Sequence, residues 1–175
     1  MAKLQDIIQW CDQTLKSPEF KDYAPNGLQI EGKTEVRKIL AAVTASQDAI
    51  DAAIRENADL LLVHHGYFWK GEAYPITGMR GKRIKSLIQD DISLLAYHLP
   101  LDSHPSLGNN AAIADLLRLE RIEALDPTER HPIGNIGYLN QPMPVEEFKK
   151  FVSEKLKFDV THLPADKTMI EKVGF

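Results

Sequence analysis

The sequence predicts an α/β fold, a mixed and largely parallel sheet flanked by helices, and three observations carry that prediction. The run Leu60-Leu61-Leu62-Val63 is continuously apolar and enters His64-His65-Gly66, the pattern of a buried strand ended by a turn. Ahead of it, a strand over Lys38 to Val43 and a helix over Gln47 to Asn57 are joined by short connections. Strand, helix and strand in that order form a βαβ unit, with parallel strands and a right-handed crossover. A second apolar strand, 92–97, follows the next helix and also runs into a polar break, from His98 to Pro105.

Taken in order, residues 3–16 read as an amphipathic helix with Leu4, Ile7, Ile8, Cys11 and Leu15 on one face, stopped by Pro18. Residues 17–25 are loop, and Asn26-Gly27 turns into a short strand, Leu28 to Glu31, before Gly32; the same four residues from Asn26 could be a hairpin turn alone. Thr44 or Ser46 caps the helix that follows the 38–43 strand, whose apolar stripe is Ala49, Ile50, Ala53 and Ile54. The central strand spans 59–64, and a helix runs from Thr77 to Asp90. Gly108-Asn109-Asn110 supplies a turn and an N-cap for a helix over 111–119, and Arg121 to Leu125 is a short strand. A new unit then begins: strand Ile136 to Leu139, a proline-started helix from Val145 to Lys157, and a strand over 158–163. Residues 170–175 alternate like the opening of a further strand, which is expected to continue beyond Phe175. The expected division is 1–128 and 129–175, the second part being incomplete.

A chain of 175 residues that is 43% hydrophobic can bury a real core. A formal charge of −4 and a pI near 5.9 give no electrostatic reason to expect nucleic acid. The single cysteine, Cys11, excludes an internal disulfide and falls on the apolar helix face, as a small core residue would. The N-terminus has no apolar leader and no run approaches 18 apolar residues, so a cytoplasmic protein without membrane contact is expected.

The chemistry concentrates at the ends of the two apolar strands, where open α/β sheets place their sites. If those strands are parallel neighbours, His64, His65, His98, Asp102 and His104 converge, and imidazole with carboxylate suits zinc, iron or manganese. Adjacent residues on a strand face opposite ways, so His64 and His65 share one ion only if the backbone turns between them; otherwise they serve two ions side by side. Asp102 could bridge two cations. His98 and His104 are better suited to orienting ligands or to general acid–base work. Next to this cluster, Tyr67, Phe68, Trp69 and Tyr74 stand in a glycine- and proline-punctuated stretch, either a base-stacking wall or lid, or packing against core or subunit. Arg80, Lys82, Arg83 and Lys85 could receive a phosphate or simply form a solvated face. His131, among Glu129, Arg130 and Pro132, reads as solvated.

The runs Asn26-Gly27-Leu28-Gln29, Val43-Thr44-Ala45-Ser46, Val63 to Gly71, His98-Leu99-Pro100-Leu101-Asp102 and Gly108-Asn109-Asn110 resemble the NIF-three-like family, the bacterial GTP cyclohydrolase 1 type 2 homologues. The resemblance runs from about residue 4 to the end. It implies two similar α/β halves, a dinuclear metal centre in the cleft between them, and a toroidal homohexamer built as a trimer of dimers. It matches His64 and His65 to one ligand for each of two divalent ions, and Asp102 to the bridging carboxylate. The family completes its site with a histidine and a glutamate four residues apart near the C-terminus, and no His-x-x-x-Glu follows Asp102 in this sequence. The implied function is metal-dependent hydrolysis of a purine nucleotide, with His98 or His104 shuttling the proton and Tyr67, Trp69, Arg80 and Arg83 holding the substrate. The alternatives are a non-catalytic or regulatory metal-binding assembly and, disfavoured by the acidic balance, a ring that clamps nucleic acid.

Overall fold

The computed structural model describes residues 1–166 and 168–175, which fall into two compact units, Met1–Leu101 and Asp102–Phe175. The first opens with β1 (Ala2–Lys3) and the amphipathic helix α1 (Leu4–Leu15), which ends as Lys16 takes a left-handed conformation and Pro18 enters a 3-10 turn. Next come β2 (Gly27–Ile30), β3 (Glu35–Val36) and β4 (Ile39–Thr44). Helix α2 (Gln47–Arg55) is capped by Ser46, whose Oγ accepts the amide of Ala49 at 3.2 Å. Strand β5 (Leu60–His65), helix α3 (Gly78–Gln89), strand β6 (Ser93–Ala96) and the helical turn α4 (Leu99–Asp102) complete the series. The pairing of β1 with β3 was not legible, since two residues each carry no periodic signal. Part of the expected 98–105 loop is helical as α4.

The sheet order is β2-β6-β5-β4, with β4, β5 and β6 parallel and β2 antiparallel on β6. Helices cover both faces, which explains why β5 is apolar at consecutive positions rather than alternating. Leu61 and Val63 pack with Ile50, Ala53, Ile84 and Leu87 on the face of α2 and α3. Leu60 and Leu62 pack with Leu4, Cys11, Leu95 and Tyr97 on the face of α1. Burial of these leucines supplies about 1.5–3 kcal/mol each, so the centre of the sheet is the rigid part of the unit.

The second unit holds α5 (Asn109–Leu116), β7 (Glu120–Ala124), β8 (Asn135–Pro144), α6 (Val145–Leu156) and β9 (Met169–Gly174), with an antiparallel sheet ordered β7-β8-β9. This compact unit takes in α5 and β7 because Ala114, Leu117 and Leu119 pack with Leu139, Phe151, Val152 and Val173, and β7 pairs with β8. Helix α5 begins at Asn109 with Gly108 as its cap; the side chains of Asn109 and Asn110 bond Asp102 and the Ile133 carbonyl instead. The strand expected over 158–163 does not form. The amides of Phe158 and Val160 turn back to the carbonyl and Oγ of Ser153, so they are unavailable to a ladder. Residues 169–174, by contrast, are strand β9. Among the described residues no helix is long and apolar enough to cross a membrane.

Candidate metal centre

Parallel pairing of β5 with β6 in the register Val63↔Ala96 brings the ends of both strands to one edge of the sheet. His64 and His65 are the last residues of β5, and His98 lies two residues beyond β6. Their ring centroids stand 4.4 Å (His64–His65), 5.0 Å (His64–His98) and 5.8 Å (His65–His98) apart. One nitrogen from each ring lies within 4.8 Å of the others, and among the described residues this is the one group of three or more potential ligands so placed. Adjacent residues on a regular strand face opposite ways, yet the His64 and His65 rings stand 4.4 Å apart at the end of β5. Gly66, the next residue, lets Gln29 and Ala96 pack against the strand end: a Cβ there would stand 2.2 Å from Gln29 Oε1 and 2.7 Å from Ala96 Cβ.

Each ring is held through Nδ1. His64 Nδ1 lies 3.0 Å from the Tyr97 carbonyl oxygen, His98 Nδ1 2.8 Å from Asp22 Oδ1, and His65 Nδ1 3.2 Å from Thr44 Oγ1. A carbonyl and a carboxylate only accept, so in neutral His64 and His98 the hydrogen sits on Nδ1 and the lone pair on Nε2. Imidazoles oriented this way by outer partners are the usual ligands of zinc, iron and manganese. The donor set therefore fits a divalent metal ion without discriminating among the three.

Asp22 has a buried side chain, 3% exposed, and sequence reasoning did not single it out from the 17–25 loop. Burial alone would raise its pKa, but hydrogen bonds from His98, Asn26 and the amides of Leu99 and Tyr23 outweigh it and hold the carboxyl below its usual range. No local pattern marks such a residue: its partners in β6's extension lie far away in the sequence.

Of the aromatic run, the structure brings Trp69 to the cluster, its ring edge-on to His98 at 4.9 Å and 6.0 Å from His65, with the indole N–H donating to the Gly66 carbonyl at 3.1 Å. Tyr67 goes elsewhere. It is buried in the core, its hydroxyl donates to the Ala45 carbonyl at 2.7 Å, and burial pushes its pKa up to about 12 against the opposing charge of Arg83. Arg80 pairs with Glu72 at 2.7 Å and donates to the carbonyls of Ala73 and Pro75, so it fastens the 66–76 loop. Arg83 is half-buried on α3, beside Tyr67. Asp102 and His104 belong to the second unit. There Asn109 donates to Asp102 Oδ1 at 2.8 Å, and His104 Nδ1 accepts the amides of Ser106 and Leu107 at 3.3 and 3.0 Å, which makes His104 the organiser of a turn.

The description of the family Duf34/NIF3 (NGG1p interacting factor 3) matches residues 2–175. A "GTP cyclohydrolase 1 type 2 homolog" from Haemophilus influenzae is 51% identical over 152 residues, covering 86% of this chain and 60% of that protein. Its namesake from Allochromatium vinosum is 42% identical over 176 residues, covering the whole chain and 68% of that protein. The chain thus spans about 60–68% of the length of these relatives. Among solved structures, "protein ybgI, unknown function" superposes with a TM-score of 0.91 at 41% identity, covering 99% of this chain and 68% of that one. TTHA1606 from Thermus thermophilus superposes with a TM-score of 0.84 at 31% identity, covering 97% and 68%. With the family model matching residues 2–175 and relatives at 42–51% identity, the chain belongs to the Duf34/NIF3 family.

Proposed function

We propose that the protein binds divalent metal at His64, His65 and His98 and uses it to hydrolyse a purine nucleotide, the activity that the relatives' name, GTP cyclohydrolase 1 type 2 homolog, puts forward. The observation that carries this reading is the convergence of three Nδ1-anchored imidazoles, two of them in contact with the Trp69 indole. A bound divalent ion supplies Lewis acidity and brings water towards ionisation near neutral pH. The chain's own residues do the rest. The imidazoles fix the ion's place, and Trp69 offers an aromatic edge and face against which a planar base can lie. The 66–76 loop, fastened by Arg80, keeps that indole in place. A two-ion centre that enlists Asp102, and a ring-shaped hexamer, are further parts of the proposal that rest on the family resemblance.

The test is GTP turnover by the chelator-treated protein with and without added zinc, manganese or iron(II), alongside His65→Ala. Turnover that appears only with metal and disappears in His65→Ala supports the reading. Turnover indifferent to either sinks it. Metal binding without turnover favours the second reading, a non-catalytic metal-binding protein.

A further inference from the structure

We propose that His98 is a metal ligand in its own right and that Asp22, supported by Asn26, is the positioning residue that aims its Nε2 into the cluster; this rests on the metal-binding reading above. Asp22 uses both carboxylate oxygens. Oδ1 accepts from His98 Nδ1 at 2.8 Å and from the Tyr23 amide at 2.5 Å, while Oδ2 accepts from Asn26 Nδ2 and the Leu99 amide, both at 2.9 Å. Asn26 Oδ1 in turn accepts the amide of His98 at 2.7 Å. His98 is therefore gripped at its ring, at its own main chain and at the next residue, by two side chains from a loop more than seventy positions earlier.

The bonds to the amides of Tyr23, His98 and Leu99 tie the two loops together, and the bond to the ring adds something else. It fixes the Nδ1–H tautomer, leaves the Nε2 lone pair towards His64 and His65, and places a negative charge behind the ring, which strengthens it as a donor to a cation. Trp69 packs edge-on against the same ring, with centroids 4.9 Å apart. A carboxylate at Nδ1 would equally suit a general base working through Nε2; what points to a ligand is that one ring nitrogen of His98 lies within 4.8 Å of those of His64 and His65, the spacing of donors around one ion.

The experiment measures zinc affinity by competition with a chromophoric chelator, and the visible spectrum of the cobalt(II) form, for the wild type, Asp22→Asn, His98→Ala and the double variant. Asp22→Asn is expected to weaken zinc binding about 10–100-fold and to shift the cobalt bands. His98→Ala should weaken binding at least as much, and Asp22→Asn should then add nothing. Wild-type affinity in Asp22→Asn or in His98→Ala overturns the inference while leaving metal binding intact, as does an additive double variant, which would mark Asp22 as acting on the fold alone. Absence of zinc binding in the wild type overturns the underlying reading as well. Should Asp22→Asn not fold, nitrogen-15 NMR of the wild type decides: the Nδ1–H tautomer at His98 supports the clamp, and the Nε2–H tautomer overturns it.

Discussion

His64 Nδ1 stands 3.0 Å from the carbonyl oxygen of Tyr97, the residue immediately before His98. One peptide unit thus orients one cluster histidine and carries the next, so the end of β6 acts as a gauge for the site. Tyr97 also reaches α1, where its hydroxyl donates to Asp12 Oδ1 at 3.1 Å and burial pushes its phenol far above the ordinary range. Tyr97→Phe removes the hydroxyl and keeps the carbonyl. It is expected to cost about 1–2 kcal/mol of stability, read by urea unfolding, with zinc affinity unchanged; a parallel loss of affinity would show that the hydroxyl, too, sets the site.

Gly66→Ala tests the strand end. The added methyl must displace Gln29, whose Oε1 accepts the Tyr67 amide at 2.7 Å, and must also press on Ala96. A destabilisation of about 1–3 kcal/mol is expected together with weaker metal binding. Wild-type values for both would mean that the backbone yields at no cost.

At the opposite end of the sheet, Asp59 accepts the amides of Arg37 and Lys38 at 2.9 and 3.2 Å and the Lys33 ammonium at 2.9 Å. The Arg37 amide bond above all, then the Lys33 bond, holds its pKa below the usual carboxylate range. A folded-state pKa below the unfolded one means stability that is present above pH about 4 and lost as pH falls through the folded value. Asp59→Asn should therefore unfold at lower urea than wild type at pH 7, and the two curves should draw together at a second pH taken below the ordinary carboxylate range. An equal gap at both pH values would assign the effect to shape rather than charge.

The two tryptophans differ sharply: Trp10 is 63% exposed on α1, and Trp69 abuts His98. In a Trp10→Phe background the remaining emission should be strongly quenched by cobalt(II) or nickel(II), and His98→Ala should blunt that response. Emission unaffected by these ions would place them elsewhere.

Much of the first unit could be read from its residues, because β4, α2, β5, α3 and β6 carry uninterrupted apolar runs or stripes and have local caps such as Ser46. The histidine pair and His98 were legible for the same reason, as polar breaks at strand ends. Asp22 was not, since its worth comes from partners brought in by long-range pairing of β2 with β6. Arg80 and Tyr67 were each open to two readings, and the structure places one as a loop fastener and the other in the core through hydrogen bonds to main-chain carbonyls that no spacing reveals. The 158–163 segment had strand-like composition, and its amides were claimed by Ser153 instead.

Cys11, the lone thiol, lies 6% exposed among Leu4, Leu60, Leu95 and Tyr97, and burial, with help from the Asp12 charge, raises its pKa. Only the thiolate reacts with alkylating reagents, and here it is both scarce and shielded. The chain therefore carries its own clock: the rate at which a thiol reagent labels Cys11 reports how often α1 lifts from the sheet, free of competing cysteines or disulfide exchange. Zinc, by favouring the closed state, should slow that clock. Cys11 and the histidine cluster share Tyr97 as a neighbour, so labelling kinetics can follow events at the histidines from the α1 face of the sheet.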